Sequence, residues 1–290
     1  MNISYKFYRL YDLILGSQID LDYPTIDACK LDVEIKLVNS LKAITTQTFN
    51  SQSFHGNQDS IQFSTWDNVE CQINKGSEIL IKDNANSKRL SQIIFSHVLP
   101  LLLIQRGNIT FHASSNLVDS EAILFIGNNG SGKSTTCVAL QQNGFPVLAD
   151  DCITCTVSNS EVFALPTLAN VRLCHGKDSF VDKTKLPIAY IDDKVTFHRS
   201  WNSTEKIKIS KIFALEWSKD EKIERLSEKD SLYVLLKNIW FPWATQVILK
   251  DKHLQLCANI AKAIPIYLYK RSLATDPSID AGNFIFNLKN

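Results

Sequence analysis

No charge of one sign prevails in this chain: 31 Lys and Arg face 30 Asp and Glu, a formal net charge of +1. With the basic residues spread along the chain, there is no footprint for nucleic acid and no polybasic membrane anchor. Long hydrophobic runs are missing too. The longest, Ile93 to Ile104, contains Ser96, His97 and Pro100, and it falls short of the ~20 residues that cross a bilayer. The opening MNISYKFYRLYDL has no basic start followed by an unbroken apolar segment. No signal peptide is therefore expected, and a cytoplasmic setting is.

Cysteine is present but without a framework. Seven cysteines, an odd number, fit reduced thiols rather than a set of disulfides. Cys152 and Cys155 do share C-x-x-C spacing, yet they lie in DCITCTV, which reads as a strand, whereas a redox motif opens a helix. A zinc site would need a second pair, and none follows at a suitable spacing. Plain structural cysteines are the expectation. Also absent are a guanine-reading N-K-x-D stretch, an LSGGQ-like transporter signature, internal repeats and low-complexity tracts.

What remains is an ordinary globular composition, 44% apolar and 21% charged. Residues 1–86 read as β-rich: YKFYRLY, LDVEIKLV, IQFSTW, VECQI and EILIKD are short β-branched and aromatic runs between Asn, Ser, Gly and Asp. Residues 87–290 are expected to form a second domain. It opens with a helix over 87–105 that Pro100 bends or ends. NITFHAS and AILFIG follow as strands, then a helix over Lys133–Gln142 that stops at Asn143-Gly144, then the buried strand FPVLADD. Further strands (CITCTV, EVFAL, VTFHR, KISKIFALEW, KIERLS) precede helices over Glu228–Ile239 and about Trp243–Ile264. IPIYLYKRSL closes as a strand, and Pro277–Leu288 is expected to be a last short helix. The fold class is α/β with a mixed sheet and a β-rich N-terminal region.

Gly127-Asn128-Asn129-Gly130-Ser131-Gly132-Lys133-Ser134 fits G-x-x-x-x-G-K-[ST] at every fixed position. The glycines let the backbone approach an anion, and successive N–H groups with the following helix N-terminus face phosphates. Lys133 would neutralise β/γ-phosphate charge and the Ser134 hydroxyl would bind Mg²⁺. A glycine-rich turn that binds nothing is the alternative, but a strand before the loop and a helix after it argue for the phosphate cradle.

Asp150 and Asp151 follow a buried strand. A bare Asp-Asp is otherwise a pair of capping or turn carboxylates; here one could hold Mg²⁺ while the other takes a hydroxyl proton. His112, in TFHAS, should reach the same sheet edge by lying on a parallel neighbour of the loop strand, unless it is a buried structural histidine.

His112, the loop and LADD, in that order and at short spacing, resemble the catalytic core of the HPr kinase/phosphorylase family. That family has a fold like phosphoenolpyruvate carboxykinase, and the likeness is strong over residues 108–175. The resemblance implies ATP, or another nucleoside triphosphate, and Mg²⁺. The loop residues 127–134 with Thr135 would bind them, Ser134 and Asp151 on the metal side. Asp150 would be the base for a serine hydroxyl, His112 a phosphate-side residue, and Arg172 and Arg271 candidates for charge stabilisation. Thr135 stands where the family has an acidic residue, which favours kinase over phosphorylase chemistry. The N-terminal half resembles instead the small HPr-kinase-like proteins found with ribosomally made peptides, including lasso-peptide kinases that phosphorylate a precursor's C-terminal serine.

The expected partner is thus a serine-bearing peptide or small protein, docked on the β-rich region. Nucleic acid and membrane are not expected, and a homo-oligomer is compatible with the resemblance. A small-molecule kinase acting on free serine, or a nucleotide-binding regulatory module, is the alternative.

Overall fold

The computed structural model describes residues 5–50, 54–65, 68–84, 86–87, 89–165, 171–174, 188–191, 194–197, 205–272 and 284, with backbone alone for the three short strands between 171 and 197. The chain divides into two compact units. Residues 1–110 with 241–253 form the first, and 111–240 with 254–290 form the second.

In the first unit, β1 (Lys6–Leu10), β2 (Leu13–Ser17), β3 (Val33–Leu37), β4 (Phe49–Asn50), β5 (Phe54–Gly56), β6 (Ser60–Ser64), β7 (Val69–Asn74) and β8 (Glu78–Asp83) form one mixed sheet. Its order is β1-β2-β3-β8-β7-β6-β5-β4, with β3 parallel to β2 and β8 and the other pairs antiparallel. Alternation buries Val33, Ile35, Ile61, Phe63, Ile73, Ile79 and Ile81, as a sheet with one packed face requires.

The helical segment after it runs as α1 (Leu90–Ile93), one wide π turn (Ile94–Val98) and α2 (Leu99–Gln105). Of the two outcomes expected at Pro100, a bend or an end, the helix does not end there. The wide turn just before it changes the hydrogen-bond register where the proline offers no N–H, and Pro100 sits in the first turn of α2, where none is needed. This segment belongs to the first unit rather than opening the second. Leu99 to Ile104 are all buried, and α2 packs on β7 and on α5 (Pro242–Leu249).

β9 (Ile109–Phe111) leads into the second unit. There β10 (Ala113–Val118), β11 (Glu121–Ile126), β12 (Val147–Ala149), β13 (Ile153–Ser158), β14 (Glu161–Ala164), β18 (Ile207–Trp217), β19 (Lys222–Arg225) and β20 (Ile266–Arg271) build the main sheet. β10 is antiparallel to both β11 and β12; β18 is parallel to β11 and β20 and antiparallel to β14. A separate antiparallel sheet holds β15 (Val171–Cys174), β16 (Ile188–Ile191) and β17 (Lys194–Phe197) in the order β15-β17-β16. β11 reads EAILFI with five buried residues in succession, the pattern of a central strand covered on both faces.

α3 (Lys133–Gln142) covers one face, joining Cys137, Val138 and Leu140 to Ile123, Phe125, Phe213, Leu215, Tyr269 and Phe284. α4 (Glu228–Lys237) starts at Ser227, whose side chain accepts from Asp230 N. The long helix expected over 243–264 is instead two, α5 and α6 (Lys252–Ala263). Lys250, at φ 50° and ψ −132°, cannot continue a right-handed helix, and α6 carries the chain back to the second unit. The expected helix at 277–288 lies outside the described residues except Phe284.

Candidate active site

β11 delivers the loop. Ile126 ends it, and residues 127–132 turn before α3 begins. Gly132, at φ 90°, is the helix cap, and a Cβ there would stand 2.1 Å from Arg271 Nη2. Gly127, at φ 147°, leaves no room either: a Cβ would come within 2.7 Å of the Leu215 carbonyl oxygen. Both positions need glycine for conformation and for space. Asn128, Asn129 and Gly130 are exposed, and Ser131 N donates to the Asn128 carbonyl at 3.1 Å. Ser131 Oγ is buried with no hydrogen-bond partner among the described residues, a donor that suits an anion in the loop.

Lys133 is 6% exposed, and its Nζ donates to the carbonyls of Gly127 (2.8 Å) and Asn128 (3.2 Å). Burial pulls its pKa below the usual lysine value, opposed by the charges of Asp150 and then Asp151. Ser134 Oγ donates to Asp150 Oδ1 at 2.8 Å. Ser114 Oγ donates to the same oxygen at 2.5 Å. Asp150 is 8% exposed, whereas Asp151 is half-buried and held at φ 69°. Two hydroxyls and a carboxylate make a hard, all-oxygen set that fits Mg²⁺. No group of three or more His, Cys, Asp or Glu suited to a metal occurs among the described residues.

The topology that assembles this cluster differs from the expected one. The neighbour of the loop strand is antiparallel: Ala113 pairs with Ile126, so His112, just before β10, stands opposite Gly127. β12 is antiparallel to β10 in turn, with Ser115 opposite Ala149, and this sets Asp150 beside Ser114. All three motifs reach one sheet edge because the strand between the loop and the carboxylates runs backwards. His112 is half-buried, donates its N–H to the Asn238 carbonyl at 2.8 Å and meets Trp240 edge-on at 5.0 Å between ring centres.

Two residues here carry no motif. Asn238, just after α4, accepts from Gly127 N at 2.9 Å and donates to the Val234 carbonyl at 2.8 Å. With its own carbonyl on His112, it ties the first residue of the loop to that histidine. Ser114 belongs to the buried run Ser114-Ser115-Asn116. Consecutive polar residues within a buried strand were the available signal, since buried polar groups must find partners.

Arg271 is only 3% exposed, with Nη1 donating to Thr136 Oγ1 at 2.6 Å and Nη2 to the Ser131 carbonyl. Its guanidinium therefore supports the loop from beneath, through α3, rather than lying open to a transferred phosphate. Thr135 is half-buried in the first turn of α3. Arg172 pairs with Thr196 across β15 and β17, in the small sheet; its side chain lies outside the described residues. Cys152 and Cys155 are buried thiols that burial pushes upward, with Asp151 and then Asp150 adding to the effect at Cys152. They behave as core residues.

The first unit holds a cleft of about 640 Å³, lined among others by Lys42, Ile44, Thr46, Asn74, Val247 and Lys250; none of the loop or carboxylate residues lines it. No helix among the described residues is long and apolar enough to cross a membrane.

No protein-family model and no curated protein matches the chain. Among solved structures, one similar to it is that of the Hpr(Ser) kinase/phosphatase from Coxiella burnetii, at 15% identity and a TM-score of 0.32, covering 62% of this chain and 99% of that one.

Proposed function

We propose that the chain is a nucleoside-triphosphate-dependent kinase that phosphorylates a serine hydroxyl on a peptide or small protein, such as the C-terminal serine of a ribosomally made precursor. The observation that carries this is the pair of hydroxyls, Ser134 and Ser114, on Asp150 Oδ1 at the mouth of the phosphate loop. In a phosphate-loop enzyme the loop's Ser and a strand-end Asp share the magnesium ion. Ser134 and Asp150 have that relation. We therefore assign Asp150 to the metal side and give the acceptor's proton to Asp151, reversing the roles read from the sequence.

Ser134 and Asp150 would hold magnesium, which would supply charge neutralisation for the transferring phosphate. The residues do the rest. Loop N–H groups and Lys133 hold the phosphates, and Asn238 with Arg271 keeps the loop in shape. His112 borders the loop's first residue, where it can meet phosphate oxygen. The acceptor Oγ forms its bond to the γ-phosphorus as the bond to the bridging β,γ-oxygen breaks. The acceptor proton passes to Asp151, and the nucleoside diphosphate leaves. The cleft of the first unit is our candidate for acceptor docking.

The test is mass spectrometry of a serine-ending peptide incubated with protein, ATP and Mg²⁺. A single phosphate is expected on the terminal serine. Asp151→Asn should abolish turnover and leave nucleotide binding nearly unchanged, because a base acts mainly in the transition state. Asp150→Asn should instead raise the Mg²⁺ concentration needed. Phosphate release without any phosphorylated acceptor would favour a regulatory nucleotide-binding module.

A further inference from the structure

Trp217 is one of four exposed large apolar residues among those described, at 39%, and the kinase chemistry above gives it no task. It ends β18, the strand next to the loop strand on the side away from Asp150. The order is β12, β10, β11, β18, so the carboxylates and Trp217 flank the loop on opposite sides. Ile126, the last residue of β11, pairs with Ala214, and β18 runs on to Trp217. At ~3.3 Å per residue this extension lifts the indole roughly 10 Å past the end of the loop strand, level with the loop itself.

The ring is fixed in orientation. Its Nε1 donates to the Gly130 carbonyl at 2.9 Å. The Arg271 guanidinium lies over the ring at 4.6 Å from its centre, and Trp217 and Arg271 are cross-strand partners. An exposed, rigid aromatic surface is thus anchored to the outer, carbonyl side of a phosphate cradle.

We propose that Trp217 is the stacking platform for the nucleobase of the bound nucleotide, an inference that rests on the nucleotide reading above. With its terminal phosphate at Ser134 and Asp150, a triphosphate laid across the loop brings its ribose and base to the other flank, and open α/β sheets bind ligands along this strand-end crevice. The base meets Trp217 there. Stacking on a π surface tolerates any base, because every base has a π face.

Calorimetric titration of the full chain with Mg-ATP and with Mg-tripolyphosphate, which has no base, tests this. Trp217→Ala should weaken ATP roughly tenfold, the scale of one base–aromatic stack, and leave tripolyphosphate unchanged. Trp217→Leu keeps apolar bulk against the loop if the alanine variant fails to fold, and the same selective loss is expected. An equal loss of both ligands in the leucine variant overturns the proposal, since Trp217 then only props the loop. No loss of either ligand overturns it too. The nucleotide reading fails separately, if the wild-type chain binds neither ligand or Lys133→Ala weakens neither.

Discussion

Asp150, Gly132 and Asn238 show how single residues set the geometry of the candidate site. Asp150 Oδ1 collects two hydroxyl donors, which no spacing rule in the sequence could reveal, because Ser114 lies on another strand. Gly132 is more legible, as a fixed position of the loop motif, yet besides its φ of 90° it has Arg271 packed against it. Gly132→Ala combines a left-handed backbone with that clash. It should cost ~1–3 kcal/mol in stability, read from the urea midpoint, and abolish nucleotide binding. The thiols give the opposite kind of prediction. Cys29 is exposed, whereas Cys71, Cys137, Cys152, Cys155 and Cys257 are buried; burial pushes the Cys71 and Cys257 thiols up to about 12. Among these six, Cys29 should react with a thiol reagent in the folded protein. Cys152 and Cys155 should react only on unfolding. Peptide mapping that finds rapid labelling at the C-x-x-C pair would restore a redox reading.

Elements place these residues. α3, the loop and β12 lie where the sequence pattern predicts them, because strong signals bound each: glycines before Lys133, Asn143-Gly144 after Gln142, and an apolar run before the carboxylates. Strand direction was not legible. His112 reaches the loop across an antiparallel pair, and local periodicity is the same for either direction. Two helical readings changed in detail for local reasons: a wide turn ahead of Pro100 carries the first helix on to Gln105, and Lys250, at positive φ, divides the second. The end of α4 is the element most exposed to test. Asn238→Ala leaves Gly127 N–H and the Val234 carbonyl without their present partner, at a cost of ~1–3 kcal/mol. It should raise the KM for ATP as well as lower stability. A variant that loses stability but keeps its KM would limit Asn238 to capping the helix.

The whole molecule is two units, and the site described here lies within the second. Ligand that binds only the folded state stabilises it, by about 2.7 kcal/mol at about 100 Kd. Mg-ATP should therefore raise the thermal midpoint of the wild-type chain and leave Lys133→Ala unmoved. Hydrogen exchange should slow at residues 127–136. A midpoint shift that survives in Lys133→Ala would place the nucleotide elsewhere.

By itself the sequence determined the glycine-rich loop, the helix that follows it and the carboxylate-ended strand, since each depends on residues close together in the chain and on backbone rules that act locally. Tertiary structure alone decided which carboxylate faces Ser134, that Arg271 is a support beneath the loop, that Asn238 joins the loop to His112, and that Trp217 stands beside Gly130. Each of these is a meeting of strands or helices distant in sequence, and pairing, direction and register, not composition, bring them together.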